Sequence, residues 1–231
     1  MTARSLSPRR PPWLAVLLLA LLAATARAGG PAESLQRIEA SPDYVELLPT
    51  MGLTLDLRYA TANNFVGENL YGDFHRAFLH RIAAEKLSRA VENLRRANPG
   101  YRFVVFDALR PRSVQEILWA KVRGTAQEKY VADPKQGSLH NFGFALDLSV
   151  LDESGKELDM GTGFDAFTPL AEPREEQLFL AEGKLSSRQI VNRKLLRSAM
   201  EDAGFIQRPD EWWHFDALPA AEVLGAYPIV E

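Results

Sequence analysis

Two short segments carry the chemical signal in this 231-residue chain. In Ser138-Leu139-His140-Asn141-Phe142-Gly143-Phe144-Ala145-Leu146-Asp147, an imidazole and a carboxylate flank a glycine. In Glu211-Trp212-Trp213-His214-Phe215-Asp216, a carboxylate and an imidazole are wedged among aromatics. Burying either group among such rings is costly without a strong partner, and a metal ion would supply one. A core strand whose His214 and Glu211 bond to backbone is the competing reading. For His140 and Asp147 it is a surface-loop imidazole and a solvated strand carboxylate. A third group, Arg110, leaves an apolar strand in Asp107-Ala108-Leu109-Arg110-Pro111, and alone it is equally a solvated charge or half of a salt bridge.

Together these groups fit one device. His140, Asp147 and His214 are the three protein ligands of a catalytic zinc site, with a fourth position for water. Zinc lowers the pKa of that water and polarises a carbonyl. Glu211, three residues before His214, is placed to accept the water's proton and pass it to a leaving amine. Arg110 would stabilise the oxyanion of the tetrahedral intermediate. No His-Glu-x-x-His helix occurs, so the arrangement is not thermolysin-like.

The elements that must position these groups follow from periodicity. Phe144, Leu146, Leu148 and Val150 alternate with Ala145, Asp147 and Ser149, so residues 144–150 read as a strand with Asp147 on the small-residue face. His140 is an odd number of positions from Asp147 and in one unbroken strand would point the other way. A loop or bulge at Gly143 would bring it round. Residues 53–59 and 101–106 read as strands, and residues 212–216 as the last one. Helices are expected over residues 78–94, over 113–122 with a Ser113/Glu116 capping box, and over 187–203 with Ile190, Val191 and Leu195 on the apolar side. Residues 29–49 read as a loose lead. The succession predicts an α+β single domain, a largely antiparallel sheet flanked by helices, with the zinc site in a cleft on the sheet.

Composition narrows the possibilities. The chain is 46% hydrophobic and 25% charged, as in ordinary globular proteins, and without Cys it has no thiol nucleophile, disulfide or Cys-ligated metal. Arg4, Arg9 and Arg10 precede an apolar run over residues 13–24, and Ala26-Arg27-Ala28 follows it, the pattern of a signal peptide over residues 1–28. A membrane anchor is the competing reading. Cleavage near Ala28 would leave the domain at 29–231 with net charge −7, which argues against nucleic acid or an anionic membrane as partner. The expected location is periplasmic or secreted, with no stable membrane association after cleavage and no obligate protein partner evident.

Ser-x-His-x-x-Gly-x-Ala-x-Asp at 138–147 with Glu-x-Trp-His at 211–214 resembles the zinc peptidases that cleave D-alanyl peptides. Within them the chain is most similar to the D-alanyl-D-alanine dipeptidases, through Asp56-Leu-Arg-Tyr-Ala-Thr with Asn64-Phe-Val-Gly67, Arg110-Pro111, Met160-Gly161-Thr-Gly-Phe-Asp165 and the run from Asn192 to Phe205. The resemblance implies one Zn2+ held by His140, Asp147 and His214, with Glu211 as base and acid and Arg110 as oxyanion stabiliser. It also implies that Asp165 and Tyr59 lie near the substrate's amino terminus and Ser138 near its carboxylate. Two departures stand out: Leu109 where family members often carry an aromatic, and the export signal, which does not suit a role on newly made cytoplasmic precursor. The expectation is turnover of D-Ala-D-Ala or related dipeptides released from the cell wall. A carboxypeptidase trimming longer peptidoglycan stems is the second reading, and a non-catalytic zinc-stabilised binding module, as in the hedgehog amino-terminal domain, is the third. His75 and His80 match no ligand motif and read as surface or capping residues.

Overall fold

The structure, a computed structural model, describes residues 31–39 and 41–231; the segment expected to be a signal peptide, residues 1–28, lies outside them. The described strands are β1 (Tyr44–Leu47), β2 (Leu53–Leu55), β3 (Ala77–His80), β4 (Arg102–Asp107), β5 (Ala145–Leu151), β6 (Ile206–Gln207) and β7 (His214–Asp216). The helices are α1 (Pro31–Ile38), α2 (Arg81–Ala97), α3 (Arg112–Val122), α4 (Glu176–Ala181), α5 (Ser187–Glu201) and α6 (Ala220–Val223). The main sheet has the order β2-β4-β5-β7-β6, and only β2 with β4 runs parallel, so the expected α+β, largely antiparallel architecture is present. A separate β1–β3 ribbon packs beside α2. No described helix is long and apolar enough to cross a membrane.

β5 is the centre of the molecule. All seven of its residues are buried, and β4 and β7 hydrogen-bond along its two edges. Trp212 and Trp213, just before β7, are fully buried and pack edge to face at 5.4 Å, fixing the entry to that strand. α2 and α5 pack on each other, and α2 also contacts β4.

Three boundaries differ from the sequence expectation. Residues 29–49 include α1 and β1, ordered by the buried Leu35 and Leu47. Phe78 lies on β3, paired with Glu46, and α2 begins only at Arg81: the four-residue step from Phe78 to Ile82 mimics a helical face. His80 caps α2 by accepting from the Ile82 amide at 3.3 Å, yet it is buried, its ring stacked on Phe144 at 4.3 Å. The strand expected over 53–59 stops at Leu55, because the Tyr59 carbonyl turns to accept from the Leu70 and Tyr71 amides.

Two helix details also differ. α3 starts at Pro111 as cap, so Ser113 falls inside the helix, its Oγ has no partner and the expected capping box does not form. α5 instead carries a capping box from Ser186 and Gln189, and Val191 faces solvent while Asn192 and Arg193 are buried.

Candidate active site

Three adjacent strands meet the site on one rung. Asp147 of β5 lies directly opposite His214 of β7 and, on its other side, opposite Asp107 of β4. A register shift in β4 between Val105 and Asp107 creates the second pairing. His140 arrives from a 3₁₀ turn, Leu139–Phe142, which ends at Gly143 with φ +74°. A Cβ at Gly143 would sit 2.8 Å from the His80 amide nitrogen and 3.0 Å from the Tyr44 ring, so the left-handed turn and the close approach both require glycine. This is the break that brings His140 to the side of Asp147.

The inner atoms of the group are His140 Nε2, His214 Nδ1 and the Asp147 carboxylate. His140 Nε2 lies 3.2 Å from His214 Nδ1 and 3.4 Å from Asp147 Oδ2, and His214 Nδ1 lies 2.9 Å from Asp147 Oδ1. The outer nitrogens are tied off: His140 Nδ1 donates to the Ala108 carbonyl at 2.6 Å, and His214 Nε2 donates to Asp216 Oδ1 at 2.9 Å. With one ring proton of each committed outward, the inner nitrogens of both imidazoles are the ones that would turn a lone pair to a metal ion, beside a carboxylate. Three converging acceptors, all buried, call for a cation at their centre, so these residues fit a metal ion. The carboxylates favour positive charge at this centre, which a proton supplies when no ion is bound. Burial would push the His214 imidazole down, but Asp216 and Asp147 outweigh it and raise it to about 10. Burial would raise the Asp147 carboxyl, but the two imidazoles hold it well below the usual carboxylate range.

Around this group lies a narrow cleft open to solvent. Tyr59, Arg110, Ser138, Asp165 and Glu211 line it together with His140, Asp147 and His214. Glu211 Oε2 stands 3.9 Å from His214 Nδ1, and burial pushes its carboxyl up to about 7. Arg110 is buried and fully engaged, its Nε on Asp107 at 2.7 Å, its Nη1 on Gln115 at 2.8 Å and its Nη2 3.5 Å from Asp147. Burial disfavours its charge, but Asp107 and its other acidic neighbours more than offset this and strengthen the charged form. Tyr71 closes the network by donating to Asp107 at 2.8 Å.

The far wall is the loop over residues 159–172. Asp165 is the one non-glycine residue with positive φ among those described, at +59°, and accepts from the Tyr59 hydroxyl at 3.2 Å. Burial, then the nearby Asp147 charge, pushes its carboxyl well up. A group with such a cost is held only if its surroundings determine it. Phe167 supplies part of that hold, stacking on Tyr130 at 5.2 Å and meeting Phe65 edge-on at 4.9 Å. Ser138 sits at the cleft as cap of the 3₁₀ turn.

A family model described as Peptidase_M15, D-ala-D-ala dipeptidase, matches residues 42–229. The chain belongs to this family. It is 34% identical over 185 residues to the D-alanyl-D-alanine dipeptidase of Escherichia coli (strain K12), covering 77% of this chain and 83% of that protein. It is 28% identical to the D-alanyl-D-alanine dipeptidases of Synechocystis sp. (strain ATCC 27184 / PCC 6803 / Kazusa), over 57% of this chain and 65% of that one, and of Enterococcus faecalis (strain ATCC 700802 / V583), over 72% and 87%.

As a member of the D-ala-D-ala dipeptidase family the chain is a metallopeptidase, and the His140, Asp147 and His214 group is its candidate metal centre. The structure gathers all eight residues singled out from sequence along one cleft. Sequence reasoning missed Asp107, Gln115 and Asp216, which tie down Arg110 and His214. Asp107 and Asp216 stand inside the very segments quoted, and their signal was position: each lies two or three residues from the group it anchors. Arg208, also on the cleft wall, was missed as well.

Proposed function

We propose that this protein hydrolyses free D-Ala-D-Ala or a closely related dipeptide, using zinc held by His140, Asp147 and His214. The carrying observation is the convergence of two outward-anchored imidazoles and the Asp147 carboxylate beside a buried carboxylate that is no ligand, Glu211. Zinc is favoured by the donor set, two imidazoles and one carboxylate that can approach a single ion. When bound, such an ion supplies Lewis acidity towards water and an amide carbonyl.

The chain's own residues divide the remaining work. Asp165, braced by the Tyr59 hydroxyl, meets the substrate ammonium, whose positive charge restores the ionised carboxylate that burial disfavours. Ser138 faces the carboxylate end. Glu211, raised to about 7, takes a proton from water and returns it to the leaving amine. Arg110, immobilised by Asp107 and Gln115, stabilises negative charge on the carbonyl oxygen without having to reorganise. A purely structural ion needs neither Glu211 nor Arg110, which speaks against a binding module. The signal-peptide pattern over residues 1–28 supports export to the periplasm and action on wall-derived dipeptides.

The test is product analysis with D-Ala-D-Ala, N-acetyl-D-Ala-D-Ala, L-Ala-L-Ala and a stem pentapeptide. Rapid release of D-Ala from the free dipeptide alone is expected. Equal cleavage of the N-acetylated dipeptide or the pentapeptide would make it a carboxypeptidase. Glu211→Gln should keep one ion per chain and lose about 10²–10⁴ in rate; unchanged turnover would remove Glu211 from the mechanism. Amino-terminal sequencing of the exported protein checks cleavage near Ala28.

A further inference from the structure

A dipeptide presents two charges, and the residues assigned above answer only one of them with a full opposite charge. Arg110 is another cation in the cleft, but its guanidinium is already paired with Asp107 and Asp147 and is assigned above to the carbonyl oxygen. Arg208 is different. It lines the same cleft, and its guanidinium has no partner at hydrogen-bond distance. Its Nε is buried with no hydrogen bond, 3.9 Å from Glu211 Oε2. Its Nη2 stands 3.8 Å from Asp210, whose carboxylate is already held by Arg174 at 2.7 Å.

Placement is fixed by backbone. The Arg208 amide donates to the His214 carbonyl at 3.1 Å, so the residue rides on the hairpin that delivers His214 and stands one side chain further out than Glu211. About a third of its side chain is exposed, so the head can be reached from the cleft mouth.

We propose that Arg208 is a specificity-determining residue that pairs with the free carboxylate of the substrate. The proposal rests on the dipeptidase reading. A planar guanidinium with unused donors matches a carboxylate in two parallel bonds. Closing that pair also gives the buried Nε the acceptor it lacks. Together with Asp165 it makes the cleft a two-ended gauge, selecting chains whose ammonium and carboxylate are one peptide unit apart.

The test is a cycle between Arg208 and the group it should recognise. Metal-loaded wild type and Arg208→Gln are assayed with D-Ala-D-Ala and with D-alanyl-D-alaninamide, which lacks the carboxylate. For the acid, Arg208→Gln should raise KM about 10- to 100-fold with kcat changed less than about threefold. For the amide, the same substitution should change KM by less than about threefold. Arg208→Lys should recover part of the affinity for the acid and none for the amide. Equal losses on both peptides, or a fall in kcat at constant KM, would overturn the proposal and assign Arg208 to Glu211 instead. If wild type cleaves neither peptide, the dipeptidase reading fails by itself, and equilibrium binding of the same two peptides still reads the Arg208 contact. Should Arg208→Gln misfold, Arg208→Lys alone must show the acid-selective loss for the proposal to stand.

Discussion

The two walls of the cleft are built by different means. On one, Asp107, Asp147 and His214 share a single rung of β4, β5 and β7, so backbone register sets their separations and side-chain bonds only trim them. On the other, Asp165 hangs on the 159–172 loop and is held from outside by a helix. Arg193 of α5 donates from Nε to the Met160 carbonyl at 2.7 Å and from Nη2 to the Leu170 carbonyl at 2.9 Å. Asn192 bonds the Asp159 carbonyl at 2.8 Å, and Trp212 Nε1 bonds Thr162 at 2.9 Å. The metal wall is rigid through its ladder; the recognition wall is rigid only as long as α5 grips both ends of its loop.

That contrast sorts the consequences of mutation. On the sheet wall, His140→Ala or His214→Ala should abolish stoichiometric metal binding and cost at least about 10³-fold in rate. Full occupancy by elemental analysis in either variant would remove that imidazole from the ligand set. Asp216→Asn, one layer back, keeps all three ligands but weakens the acceptor that orients His214. About 10- to 100-fold weaker metal affinity is expected, with the residual rate restored by excess ion. No change in affinity by competition with a chelator would show that register alone holds the ring.

The same contrast explains what could be read from sequence. Alternation over Phe144–Val150, the glycine at 143 and the paired motifs pointed to the sheet wall, because register and a left-handed turn leave a local trace. The recognition wall left none. Asp165 depends on Arg193, buried on a helix whose exposed Val191 and polar inner stripe defy the amphipathic pattern. The Met160-to-Asp165 and Asn192-to-Phe205 stretches were quotable only as separate likenesses, and the bonds from Asn192 and Arg193 show why they belong together. Asp107 escaped for a related reason, since only the register shift in β4 sets it opposite Asp147.

Loosening the recognition wall should therefore spare the metal. Arg193→Met removes both carbonyl contacts while keeping much of the side chain's bulk. Metal content should be unchanged, KM for D-Ala-D-Ala should rise about tenfold, and stability should fall by about 1–3 kcal/mol. Arg193→Lys should recover part of the KM. A loss of metal from Arg193→Met would mean that the walls are not independent after all.

The smallest effect tests where the recognition wall meets the segment that carries Tyr130. The buried Glu172 carboxylate accepts from the Tyr130 hydroxyl at 2.6 Å, Lys129 at 2.7 Å and Arg174 at 2.6 Å. Burial would raise this carboxyl, but Lys129, Tyr130 and Arg174 together hold it below its usual value. A carboxyl whose folded pKa is depressed contributes stability that is present above its unfolded pKa, about 4.3, and is lost as pH falls through the lower folded value. Glu172→Gln should therefore melt below wild type at neutral pH, by the equivalent of about 1–2 kcal/mol, with the gap closing as pH drops below about 4. Thermal melts of both proteins from pH 7 to pH 3 measure it. A gap that stays constant to pH 3 would mean that shape rather than charge makes the clasp, and the Tyr130 side of the cleft would then owe its position to stacking on Phe167 alone.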